Sequence, residues 1–171
     1  VDDAPTPGSY FVRDIDLLRD LSKRSSCRIH ISVPTVDEDA WQRLEPGVAH
    51  PLQRLRVVRQ LVDAGLDCGV LMAPIVPGFS TQPSKIERTI KAIADSGARS
   101  VGAMVMHLTG GARDHFMALL AREFPHLVDR YEHLYAGKYA RKDYTRQVDE
   151  VVSLMRARYL PRAKSREMPA D

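Results

Sequence analysis

The stretch Cys68-Gly-Val-Leu-Met-Ala-Pro-Ile-Val-Pro-Gly78 decides the fold. Its first part, Cys68 to Ala73, is a short, continuous apolar run that Pro74, Pro77 and Gly78 close. Such a run reads as a strand buried on both faces, as in a parallel sheet. Upstream, Arg28-Ile-His-Ile-Ser-Val33 alternates with β-branched residues and ends at Pro34, which lacks the ladder N–H. Downstream, Val101-Gly-Ala-Met-Val-Met106 reads as a third buried strand.

Helical patterns fill the gaps. Asp14 stands where it would cap a helix running to Arg24, with Ile15, Leu17, Leu18 and Leu21 apolar. A short helix over 39–44 stops at Glu45-Pro46-Gly47. Pro51 opens another, with Leu55, Val58 and Val62 on one face and Gly65 as its stop. Ser84-Lys-Ile-Glu87 has the capping-box spacing, with Ile86, Ile90, Ile93 and Ala94 as the buried stripe and Gly97 at the end. Gly110-Gly111 turns the chain into a helix over 112–124, with Phe116, Leu119 and Leu120 inward, stopped by Pro125. The βαβαβα order predicts a parallel sheet with right-handed crossovers. Three strands leave an open edge, which is normally paired to something else. After Pro125 the strand signal stops, and helices dominate to 160.

The 171 residues suffice for one domain with its own core. Apolar residues make up 44% and charged residues 27%, the balance of an ordinary globular chain, and no apolar run reaches the roughly 18 residues of a membrane span. The acidic start, Val1-Asp-Asp-Ala-Pro, has no apolar core and is not a signal peptide. Cys27 and Cys68 make no disulfide framework and cannot complete a metal site alone, so the chain reads as intracellular and cytoplasmic. Between Lys138 and Arg166 nine Lys or Arg face three acids, a basic stretch suited either to nucleic-acid phosphates or simply to solvent.

In a parallel sheet, ligands sit at the C-terminal strand ends, and this rule selects three loops. Ser32-Val-Pro-Thr35 offers a hydroxyl suited to a ribose or to closing the strand end. Ala73 to Gly78 offers a stiff, approachable main chain, either a wall for a flat base or a rigid turn. His107-Leu-Thr-Gly-Gly111 offers a titratable ring and a glycine pair before a helix. Arg54 and Arg59 are helix arginines able to fork onto a carboxylate or to stay solvated. No G-x-S-x-G, H-E-x-x-H or G-x-G-x-x-G occurs.

Read in order, Arg13-Asp-Ile-Asp-Leu-Leu18, Ile31-Ser-Val33, Leu44-Glu-Pro46, Pro51-Leu-Gln-Arg-Leu-Arg56, Ala64-Gly65 and Val70 to Gly78 resemble the C-terminal half of radical S-adenosylmethionine (SAM) domains. The group concerned is the one related to spore photolyase, which acts in DNA repair. The resemblance runs from Arg13 to Phe124 and implies three C-terminal β/α units of a partial (β/α)6 barrel over 1–124. A helical extension over 125–160 and a disordered basic tail over 161–171 follow. It implies a four-iron four-sulfur cluster that reduces SAM to a 5′-deoxyadenosyl radical, which takes hydrogen from a substrate. It places Ser32 at the SAM ribose or amino-acid part, Arg54 near its carboxylate, and Ala73, Pro74 and Leu108 beside the adenine. The family's C-x3-C-x2-C cluster motif has no counterpart here. No metal ligand and no catalytic residue is assigned, and the chain alone is expected to be inactive. The expected partner is the N-terminal half of the same barrel, with nucleic acid as a further partner through residues 138–166. Two rival readings are a fragment of a (β/α)8 barrel holding phosphate on Gly110-Gly111, and a basic nucleic-acid-binding module.

Overall fold

The computed structural model describes residues 13–160; the expected tail over 161–171 lies outside them. In chain order the elements are α1 (Ile15–Arg24), β1 (Arg28–Ser32), α2 (Glu38–Leu44), α3 (Pro51–Asp63), β2 (Asp67–Ile75), α4 (Pro83–Asp95), β3 (Val101–Val105), α5 (Gly110–Glu123), a 3-10 turn (Pro125–Leu127), α6 (Val128–Leu134) and α7 (Lys142–Tyr159). The strands form one parallel sheet in the order β1-β2-β3. The strand–helix rhythm and the helical C-terminal part therefore stand as expected. The three strands do not close a barrel.

The register sorts the side chains onto two faces. Ile29 pairs with Cys68, and Ile31 with Val70, which in turn pairs with Val101. These residues, with Met72 and Val105, look toward the helices, and all but half-buried Ile31 are buried. The core is completed by Val58 and Leu61 of α3 and by Ile86, Ile90 and Ile93 of α4, each with no exposed surface. On the other face His30 pairs with Gly69, and Ser32 with Leu71, which pairs with Gly102. That face is open: Leu71 keeps 40% and Met104 49% of its surface exposed. Burial of β2 and β3 on both faces is thus corrected to burial on one, because the helices cover one side only. Gly69 is held to glycine by close approach, since an added Cβ would lie 2.2 Å from Ser100 Oγ.

Four local expectations also change. β2 does not stop at Ala73 but runs through Pro74 to Ile75, with an irregular register between Met72 and Ile75 where proline donates no ladder bond. The capping box does not form, because Pro83 takes the first helical position of α4. Glu87 instead accepts from Tyr159 Oη at 2.6 Å and Arg158 Nη1 at 2.9 Å, which ties α4 to α7. Asp14 does not cap α1; its carboxylate pairs with Arg13 at 3.0 Å, and Leu17 and Leu21 stay exposed. The glycine pair is no separate turn, since α5 starts at Gly110 itself.

Asp37, which no sequence signal singled out, ties α2 to α4. Its carboxylate caps α2 through the Ala40 amide at 3.1 Å and pairs with Lys85, at 2.8 Å, and Arg88 of α4. Burial alone would raise its titration, but the Lys85 hydrogen bond, the Ala40 amide and the two cations together hold it below the ordinary carboxylate range. A depressed carboxylate contributes stability above its unfolded titration range, and the contribution is lost as pH falls through the lower folded value. Asp37→Asn is expected to cost about 1–3 kcal/mol in urea unfolding at neutral pH, and progressively less toward the acid limit of the folded range. An equal cost at both pH values would contradict this role.

Candidate functional site

A parallel sheet brings its C-terminal strand ends to one side, so the three loops chosen from sequence converge here. Ser32 ends β1 on the open face, and its hydroxyl donates to the Ala73 carbonyl at 3.0 Å. This bond ties the tips of β1 and β2 and leaves the Ser32 oxygen free to accept. Beyond it Ala73 is half-buried and Pro74 exposed, so the rim of β2 is apolar. The loop that follows is braced from within. Ser80 Oγ accepts from the Val76 amide at 2.9 Å, Thr81 Oγ1 from Gly78 at 3.1 Å, and Lys85 Nζ donates to the Phe79 carbonyl at 2.9 Å.

Arg54 lies behind this rim. Its guanidinium forks onto Glu45, with Nη2 at 2.8 Å and Nη1 at 3.4 Å, while Nη1 also donates to the Ser32 carbonyl at 3.0 Å and Nε to the Ala49 carbonyl at 2.8 Å. Four of its five donors are thus engaged, and only 11% of the side chain is exposed. Arg54 and Glu45 of the Leu44-Glu-Pro46 segment therefore hold the end of β1 from below. Arg59 is elsewhere; it donates to the Asp95 carbonyl at the end of α4. Leu108 is buried, and its amide donates to the Lys138 carbonyl at 2.7 Å. His107 is exposed and bridges Tyr139 in an antiparallel pair.

Two residues that sequence reasoning missed set the ends of β2 and β3. Tyr131 Oη donates to the Pro77 carbonyl at 2.6 Å, and Tyr135 Oη to the Met106 carbonyl at 2.7 Å. Their rings stack at 5.6 Å, both are fully buried, and burial pushes both hydroxyls upward. Their i,i+4 spacing, Tyr131 on α6 and Tyr135 at its C-terminal cap, was the available signal. Cys68 is buried in mid-strand on the helix-covered face, and burial pushes its thiol up to about 11. Among the described residues no group of three His, Cys, Asp or Glu is placed to hold a metal ion. No helix among them is long and apolar enough to cross a membrane. In the basic stretch Arg141, Arg146 and Arg158 pair with Asp143, Glu150 and Glu87, while Lys142 has no acidic partner among the described residues.

No protein-family model matches the chain. Uncharacterized proteins of Mycobacterium tuberculosis and Mycobacterium bovis are 30% identical to it over 167 residues, 97% of this chain and 49% of theirs. An uncharacterized protein of the Acidianus two-tailed virus is 29% identical over 111 residues, 63% of this chain and 36% of that protein. The chain thus spans about half the length of the mycobacterial relatives. Among solved structures, a point mutant of spore photoproduct lyase, a radical SAM enzyme, superposes with a TM-score of 0.62 at 17% identity, covering 87% of this chain and 46% of that one. The two share a fold.

Tyr135→Phe removes the only side-chain donor to the buried Met106 carbonyl among the described residues and is expected to cost about 1–3 kcal/mol in urea unfolding. Tyr131→Phe should cost a similar amount through Pro77. Unchanged midpoints for both variants would show that the tyrosines do not hold the strand ends.

Proposed function

We propose that the open ends of β1, β2 and β3 form one wall of a SAM pocket in a radical SAM enzyme of longer chain. The observation that carries this reading is the junction at Ser32 and Ala73: a hydroxyl with a free acceptor, beside the apolar rim of Ala73 and Pro74, on the open face of the sheet. The fold shared with spore photoproduct lyase supports it, as does the match to only about half of each mycobacterial relative.

The groups present suit SAM in part. Ser32 accepts from a ribose hydroxyl; Ala73 and Pro74 offer an apolar edge to a flat base; the stiff loop over 75–78 keeps that edge in place. Leu108, buried under its bond to Lys138, supports the rim from the β3 side. Arg54 has one donor left and acts chiefly by fixing Ser32, so we assign it a positioning role beside the carboxylate end of SAM. An iron–sulfur cluster is not suited by these residues: Cys27 and Cys68 are the only cysteines, and Cys68 is buried with a raised thiol. The cluster ligands belong, in this reading, to the part of the longer relatives that the chain does not match. SAM bound beside a reduced cluster supplies a hydrogen-abstracting radical. The residues here bind, orient and shield that cofactor.

The complete gene product, purified without oxygen and reduced, is expected to convert SAM to 5′-deoxyadenosine. Ser32→Ala should weaken SAM binding about tenfold, the worth of one hydrogen bond of ~1.4 kcal/mol. Absence of both SAM binding and 5′-deoxyadenosine would sink the proposal.

A further inference from the structure

β3 is an edge strand, and its free side is not bare. The turn of chain at Lys138–Arg141 meets the segment just past β3 at one bridge, His107 to Tyr139, and then leaves as α7. Between α7 and the edge remains a groove of about 460 Å³, lined by Ala103, Met104, Val105, Met106 and Ala140 on one side. Opposite stand Lys142, Thr145, Arg146 and Asp149. Their i, i+3, i+4, i+7 spacing puts all four on one face of α7. The volume lies within the roughly 300–1,000 Å³ of small-molecule sites, and the lining has their character, mostly apolar with a few polar groups.

Its side chains specify a chemistry. Tyr139 is 62% and Met104 49% exposed, an aromatic ring and a polarizable thioether left toward solvent at the groove. Such a pair suits a flat ring. Lys138 Nζ lies 4.7 Å from the Tyr139 ring centroid and adds positive charge beside it. Lys142 has no acidic partner among the described residues, and Arg146 has only a 3.9 Å contact with Glu150 in which both side chains are largely exposed. An ion pair of that kind holds its partners weakly, so both cations are available to an anion. Asp149, on the same face, disfavours a second negative group and can accept from a ligand N–H or O–H.

We infer that this groove is a ligand site for a flat aromatic ring carrying one phosphate or carboxylate group, the anion on Lys142 and Arg146 and the ring against Tyr139 and Met104. Met106 lies just past β3, on the side of the sheet where the SAM wall is proposed. A ligand in the groove therefore sits next to that wall, and naming it the substrate rests on the proposed function. Its binding does not.

The test uses the chain with its six methionine methyls labelled with carbon-13, titrated in the absence of SAM. 1-Naphthyl phosphate and 1-naphthoate are the probes, with 1-naphthol and inorganic phosphate as the half-probes. We expect the Met104 and Met106 methyl signals to move while buried Met72 does not, with one naphthyl anion bound more tightly than either half-probe. Lys142→Ala with Arg146→Ala should weaken binding at least about tenfold, as loss of charge-assisted hydrogen bonds does. Tyr139→Ala should weaken it between about twofold and tenfold. These are exposed positions, so folding is retained. A still Met104 signal, a half-probe that matches the naphthyl anions, or variants that bind like the parent would overturn the inference. Because SAM is absent, none of these outcomes bears on the SAM pocket, and loss of SAM binding leaves this result standing.

Discussion

Three parallel strands covered by helices on one side have one buried face and one open face, and the rest of the molecule follows from that. The buried face accounts for the stability: Ile29, Cys68, Val70, Met72 and Val101 pack beneath α3 and α4. The open face accounts for the interest. It exposes Leu71 and Met104, apolar side chains that a free-standing sheet would cover, and it ends in the loops where parallel sheets bind ligands. The chain matches 49% of the mycobacterial relatives and 46% of the solved fold, and in the proposed reading the unmatched part completes the sheet.

Charge near the strand ends is spent on architecture. Arg54 is locked to Glu45 and to the backbone beneath Ser32; Lys85 and Arg88 are locked to Asp37; Tyr131 and Tyr135 give their hydroxyls to strand-end carbonyls. A charged group paired in this way is a poor ligand for anything else, because breaking the pair leaves an uncompensated partly buried ion. In the proposed reading, recognition at the strand ends therefore falls to a hydroxyl, main-chain groups and apolar edges. Lys142, without an acidic partner among the described residues, and Arg146, held only by an exposed 3.9 Å contact, lie instead on α7, facing the edge of β3.

The fold was largely legible because it rests on short-range signals. Period-two and continuous apolar runs marked the strands, and Gly65, Gly97 and the prolines punctuated them; the observed φ values of 83° and 81° at those two glycines are the left-handed conformations that such helix ends use. The errors came from long-range contacts. Glu87 looked like a capping residue, yet Tyr159, seventy-two positions away, holds it. The apolar run of β2 indicated a buried strand, but nothing in it says that one side lacks a cover. A rule about strand ends points to Ser32, Ala73 and Pro74, and the structure brings them together at the tips of β1 and β2. The role of Arg54 beneath Ser32, the stacked tyrosines and the α7 groove depend on which helix packs where, and a single sequence does not encode that locally.

The most direct test of the account is amide hydrogen exchange on the complete gene product, with and without SAM. The account predicts that SAM slows exchange at the loops after the three strands, 32–35, 73–78 and 107–111, and leaves the helix-covered residues of α4 unchanged. Protection absent from these loops, or found only elsewhere, would contradict the claim that the strand ends form a wall of the SAM pocket.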